Sequence, residues 1–274
     1  MIIVELAALS LLPFDPASLK LLTRLCAINQ HSYLIATRHL YHTIVLPADT
    51  APTSRLNCFL NTVTKNPYLA AKVVNLWIGD TELKHANGYS PTTESTAALA
   101  IPSMPNLQRF AIDGTNTSVK WDGLCCTHLT VTDLKDFAQP IPGLRTLHLI
   151  DSLLSPEALK SALRGSPALH TVVFELTEPF GEKLEFGTLM QLAVIAVKTV
   201  PRLRKLTFRI ENFWILHNTT FMLPAKLAEE GLKEKMKGKT IATVWSWELG
   251  MDFCEIWIAN CHRQRVGKEH RICY

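Results

Sequence analysis

Pro142-Gly143-Leu144-Arg145-Thr146-Leu147 is one of four copies of a short unit, Pro-x-Leu-x-x-[Leu/Phe/Val]. The others are Pro105-Asn106-Leu107-Gln108-Arg109-Phe110, Pro167-Ala168-Leu169-His170-Thr171-Val172 and Pro201-Arg202-Leu203-Arg204-Lys205-Leu206. Each runs on by two residues to a further large apolar side chain: Ile112, Leu149, Phe174 and Phe208. Proline cannot continue a preceding helix, and it biases the residue before it towards extended backbone. The apolar positions that follow alternate, which suits a strand with one buried face. Two weaker copies, Val73 to Ile78 and Cys126 to Val131, bring the expected strands to six.

The intervening stretches read as helices. Pro156 stands at a first helical position behind Ser155, Glu157 suits the helix dipole, Leu159 and Leu163 face inward, and Gly165 ends the helix. A longer apolar helix is expected from Gly187 to Val200. The frame Leu-x-x-Leu-x-Leu, with first slots at 73, 107, 126, 144, 169 and 203 and so intervals of 34, 19, 18, 25 and 34 residues, resembles leucine-rich repeats, whose range is roughly 20–29, with longer insertions at the ends. The ladder asparagine of that family is absent; Thr115, Leu134 and Ser152 stand in its place, which predicts irregular repeats. Between the buried positions, side chains alternate outward. The resulting face is expected to carry Asn75, Trp77, Arg109, His128, Thr146, His148, Thr171 and Lys205, with Ala111, Thr130, Val173 and Thr207 beside them. Tryptophan and arginine are frequent interface anchors, so this face is the expected recognition surface.

At 274 residues, with 47% hydrophobic and 19% charged side chains, the chain can bury a substantial core. A net charge of +4 gives no general affinity for nucleic acid or anionic membranes, and neither partner is expected. Seven irregularly spaced cysteines fit a reduced cytoplasmic or nuclear setting better than a disulfide framework. Met1 to Leu12 is apolar but lacks a basic flank and is broken by Glu5, so it is not read as a secretory signal.

Residues 1–46 read as three helices. Val4, Leu6, Leu9, Leu11 and Leu12 form a first stripe. Asp15-Pro16 opens a second helix with Leu19, Leu22 and Leu25, and a third runs from Ser32 to His42. Val4-Glu5-Leu6, Asp15-x-x-Ser18-Leu19 and Arg38-His39-Leu40-Tyr41-His42-Thr43-Ile44-Val45-Leu46 resemble the F-box of fungal F-box proteins. Met1-Ile2-Ile3 stands where that family has Leu-Pro. Asn66-Pro67-Tyr68-Leu69-Ala70-Ala71-Lys72-Val73 is similar to the stretch opening the repeat region in the same family.

The resemblance implies an α/β leucine-rich-repeat-like solenoid of strand-helix repeats, capped by an N-terminal helical F-box-like segment. The expected boundaries are 1–46 for the F-box-like segment, 47–210 for the repeats and 211–274 for a C-terminal extension that covers the open end of the sheet. The implied function is substrate recognition in an SCF-type ubiquitin ligase. A Skp1-like adaptor would be held by Leu6, Leu9, Leu12, Leu19, Leu22 and Tyr33, and a protein substrate by the repeat face. The alternative is a non-catalytic interaction scaffold with a degenerate F-box and no ligase role.

No catalytic constellation, cofactor or metal is expected. Gly238-Lys239-Thr240 matches the end of a phosphate-binding loop, but Lys233 occupies the position of its first glycine. His39 and His42 lack a third ligand nearby, and Cys254, Cys261, His262 and Cys273 lack the close pairing of structural zinc sites. Residues 225–239, with mixed charges, are read as a solvated helix. Residues 81–104 read as a polar loop ending in a short helix near Ala97 to Ala100, and two further strands are expected near Ile241 to Trp247 and Phe253 to Ile258.

Overall fold

A computed structural model of the chain describes residues 16–46, 54–79, 99–100, 103–112, 119–120, 125–132, 141–150, 156–176, 186–210 and 231–245, with residues 257 and 261. In it, each proline of the repeated unit occupies the second position of a β-turn. The residue before the proline accepts a hydrogen bond from the leucine amide: Leu107 N to Met104 O at 3.0 Å, Leu144 N to Ile141 O at 3.0 Å, Leu169 N to Ser166 O at 3.0 Å and Leu203 N to Val200 O at 3.2 Å. Proline pre-sets the backbone angle this position requires. The first and last residues of all four turns are buried. The unit is therefore a turn that delivers two core side chains and then a strand.

The chain divides into two compact units, Met1–Ser90 with Pro102–Gln108 and Gly250–Tyr274, and Pro91–Ile101 with Arg109–Leu249.

In the first unit, α1 (Pro16–Cys26) and α2 (Gln30–His42) lead into β1 (Thr43–Leu46), followed by α3 (Arg55–Lys65), α4 (Pro67–Ala70) and β2 (Asn75–Ile78). Asn29 caps α2, its side-chain oxygen accepting from Ser32 N at 2.8 Å. Ser54 caps α3 in the same way, accepting from Asn57 N at 3.2 Å. Asn66 ends α3 through its amide and opens α4 through its side chain, with Pro67 at the first helical turn. β1 and β2 pair in parallel, Thr43 opposite Asn75. Leu22 and Ala36 are fully buried between α1 and α2, with Leu25, Cys26, Ile35 and Leu40 packed against them.

The second unit contains a two-stranded parallel pair, β3 (Leu99–Ala100) with β5 (Val119–Lys120). Its main sheet is β4 (Arg109–Ile112), β6 (His128–Thr132), β7 (Thr146–Ile150), β8 (Thr171–Leu176), β9 (Lys205–Ile210) and β10 (Thr240–Trp245), all parallel and adjacent in that order. Between these strands lie α5 (Pro156–Arg164), α6 (Phe186–Thr199) and α7 (Lys233–Met236), and α5 packs against α6. Register aligns the apolar positions into two rows. Phe110, Leu129, Leu147, Val172 and Leu206 form one, and Ile112, Val131, Leu149, Phe174 and Phe208 the other. Every one of these side chains is buried, and Phe174 stacks on Phe208 with ring centroids 5.3 Å apart. Rows of five buried large side chains across parallel strands give the unit its core.

The six expected strands all form, and the seventh, expected near Ile241, is β10. Two local expectations are corrected. Ala97 to Ala100 is not helical where described: Leu99–Ala100 is a strand, because β5 supplies its pairing partners. The charged segment is not a helix over 225–239 in its described part. Only Lys233–Met236 is helical, bracketed by Gly231 and Gly238, whose positive φ values of 70 and 74 break helical propagation. The first helix over Val4 to Leu12 lies outside the described residues, as does the strand near Phe253 to Ile258 apart from Trp257, which is helical rather than extended.

Candidate protein-interaction faces

In the second unit the outward positions line up as the apolar ones do. Arg109, His128, Thr146, Thr171 and Lys205 stand opposite one another along one row. Arg109, His128, Thr146 and Thr171 are half-buried and Lys205 is exposed. The next row is Ala111, Thr130, His148, Val173 and Thr207. Here the ends are closed: Ala111 and Thr207 are buried, and the middle three are half-buried. Accessibility thus declines along the strands. The first row is the open part of this face.

His148 is anchored by a residue that the sequence reading passed over. Its Nε2 lies 2.7 Å from Oε2 of Glu175, which is buried on the neighbouring strand. Glu175 follows Phe174 at the next outward position, so its alternation was visible in the repeat. The partner was not, because β8 follows β7 only after a helix. His128 and His170 are set by their neighbours, Nδ1 lying 2.8 Å from Thr127 Oγ1 and 3.0 Å from Thr171 Oγ1 respectively.

Two of the expected face residues belong to the first unit, and both are buried there. Trp77 is 1% exposed, its ring 5.5 Å from that of Trp257 at a tilt of 58°. Asn75 is 3% exposed and donates from Nδ2 to Thr43 Oγ1 at 3.0 Å, joining β2 to β1. Neither is placed to meet a substrate. The physical reason is a covering side chain from the far end of the sequence, in the one case, and a strand preceding the repeats in the other.

The α1–α2 pair has two apolar sides. Leu22 is internal, packed with Ala36, and Leu19 is half-buried. Outward stand Leu21 (44% exposed), Ile28 (64%), Tyr33 (42%) and Leu34 (45%), four of the five exposed large hydrophobics among the described residues. Of the residues expected to hold an adaptor, Tyr33 is on this outer side and Leu22 is core. Leu6, Leu9 and Leu12 lie outside the described residues. Leu21, Ile28 and Leu34 were not singled out from sequence; Leu21 and Leu34 lie off the helix faces that bury Leu22 and Ala36, and Ile28 lies in the turn between the helices.

Neither a protein-family model nor a curated protein matches the chain in sequence.

The residues weighed for chemistry are placed as follows. Gly238-Lys239-Thr240 joins a helix to a strand, the reverse of the strand-to-helix order a phosphate-binding loop requires. His39 is buried, and His42 Nδ1 lies 3.0 Å from Thr43 Oγ1. Cys261 is buried, while Cys254, His262 and Cys273 lie outside the described residues. Cys126, in the first slot of its repeat, is a core side chain whose thiol burial pushes up to about 12. Among the described residues, no helix is long and apolar enough to cross a membrane.

Proposed function

We propose that the chain is a substrate-recognition subunit of an SCF-type ubiquitin ligase, built as an F-box-like helical segment followed by a leucine-rich-repeat-like solenoid. The outer side of α1–α2 holds a Skp1-like adaptor, and the open row of the repeat sheet, Arg109, His128, Thr146, Thr171 and Lys205, holds a protein substrate. The protein catalyses nothing itself. It raises the effective concentration of substrate near the ubiquitin-charged partner.

The observation that carries this reading is that Leu21, Ile28, Tyr33 and Leu34, four of the five exposed large hydrophobics among the described residues, all fall between positions 21 and 34. Single exposed apolar side chains are ordinary on a protein surface, but their concentration in one short stretch favours a contact site there. It coincides with the segment whose sequence resembles an F-box. Co-expression with Skp1 followed by affinity purification tests it. The intact chain should retain Skp1, and Tyr33→Ala with Leu34→Ala should lose it while keeping its helical circular dichroism. No retention by the intact chain, or full retention by the double variant, overturns the reading.

A further inference from the structure

The strands of the second unit begin at a row of basic residues. Arg145, His170, Arg204 and Lys239 each stand immediately before the first residue of β7, β8, β9 and β10. Register places them in line, because Thr146, Thr171, Lys205 and Thr240 pair in succession. Neighbouring strands lie about 4.8 Å apart, so the line runs for about 14 Å. The backbone fixes that spacing, with Arg204 N donating to His170 O at 2.8 Å and Thr240 N to Arg204 O at 2.7 Å.

All four side chains line a single half-open cavity of about 990 Å³. Lys198 near the end of α6, Arg202 in the proline turn, and Lys235 and Lys237 at α7 line it as well. Glu234 is the one carboxylate among the described residues lining it. Burial, and then the charge of Lys235, hold the Lys239 ammonium below its ordinary value, so Lys235 and Lys239 are close enough to repel one another. Like charges crowded into a concavity concentrate a positive field there, and an anion entering it relieves the repulsion.

We infer that this cavity is a docking groove for an acidic peptide segment bound in extended conformation across the strand ends. An extended chain returns side chains to the same side about every 6.8 Å, so alternate carboxylates can reach Arg145 at one end of the roughly 14 Å line and Arg204 and Lys239 at the other. Val197, Val200 and Leu203 also border the groove but are themselves buried, so its accessible lining is mainly charged. No Trp, Tyr or Phe stands among the described lining residues, which removes the stacking platform that single-stranded nucleic acids use. The groove goes beyond the adaptor reading and does not depend on it.

Fluorescence anisotropy with the full chain and a labelled peptide of about ten residues alternating Glu with Thr tests the inference. Binding should saturate and weaken as ionic strength rises through about 0.15 M, where the screening length falls to about 8 Å. Arg204→Glu with Lys239→Glu should weaken it at least about tenfold, and the milder pair Arg202→Gln with Lys237→Gln, both on exposed side chains, should weaken it without disturbing the strand ends. Lys20→Glu with Arg24→Glu on α1 should leave it unchanged. Absence of saturable binding, equal binding by both groove variants, or tighter binding of oligouridylate or inorganic tripolyphosphate than of the peptide overturns the inference. Tyr33→Ala with Leu34→Ala should bind the peptide as the native chain does, which separates this result from that of the adaptor experiment.

Discussion

Trp77 is fully enclosed, and its truncation empties the space between it and Trp257. Trp77→Ala should lower unfolding free energy by roughly 3–5 kcal/mol, read as a lowered denaturant midpoint. A variant with native stability would show that the ring is not a core element. Gly238 behaves differently. Lys237 at φ −58, ψ 124 and Gly238 at φ 74, closed by Lys239 N to Met236 O at 2.9 Å, form a type II turn, which needs positive φ at its third position. An added Cβ would meet nothing within 4 Å, so Gly238→Ala should cost only the backbone term of about 1–2 kcal/mol. Gly143, in a proline turn without positive φ and with its nearest new contact at 3.7 Å, should accept alanine with little change. Cys126 adds a pH dependence. In the unfolded chain its thiol ionises near 9.0, whereas in the folded protein it keeps its proton to about 12. The native state therefore binds more protons above pH 9, and stability falls as pH rises, with a slope approaching about 1.4 kcal/mol per pH unit. Denaturant titrations of the native chain and Cys126→Ala between pH 8 and pH 10 should diverge by about 1.4 kcal/mol in total, most of it above pH 9; parallel curves would contradict it.

At the level of elements, the α1–α2 pair separates packing from contact. Leu22→Ala removes a fully buried side chain and should cost about 2–5 kcal/mol, whereas Tyr33→Ala with Leu34→Ala should stay within about 0.5 kcal/mol per site of the native value. Thermal melts of the two variants, compared with their retention of Skp1, distinguish the sides of one helical pair. The strand-opening turns were legible in the sequence as proline followed by leucine, since both the helix stop and the turn preference are local properties of proline. The turn before β10 was not, because Gly238 does there what proline and leucine do elsewhere. β1 was equally hidden: Thr43–Leu46 has no proline unit, and only its pairing with β2 makes it part of a ladder.

Across the whole molecule, the thiols report how the chain is packed. Cys58 and Cys125 are exposed, while Cys126 and Cys261 are buried. Brief alkylation at pH 8 followed by peptide mapping should label the first two and spare the second two until denaturant is added. Labelling of Cys126 as fast as its neighbour Cys125 would mean that the repeat core is open. The sequence by itself determined the six strands of the repeated frame and their alternation of apolar and outward positions, because strand alternation and proline turns are set by residues a few positions apart. Only the tertiary structure decided which outward positions stay open. Trp77 is closed by Trp257, Asn75 is tied to Thr43, and Glu175 holds His148, all through residues distant along the chain. The same holds for the basic line of Arg145, His170, Arg204 and Lys239. Each is an ordinary turn residue in sequence, and parallel pairing at about 4.8 Å per strand is what gathers them into one field.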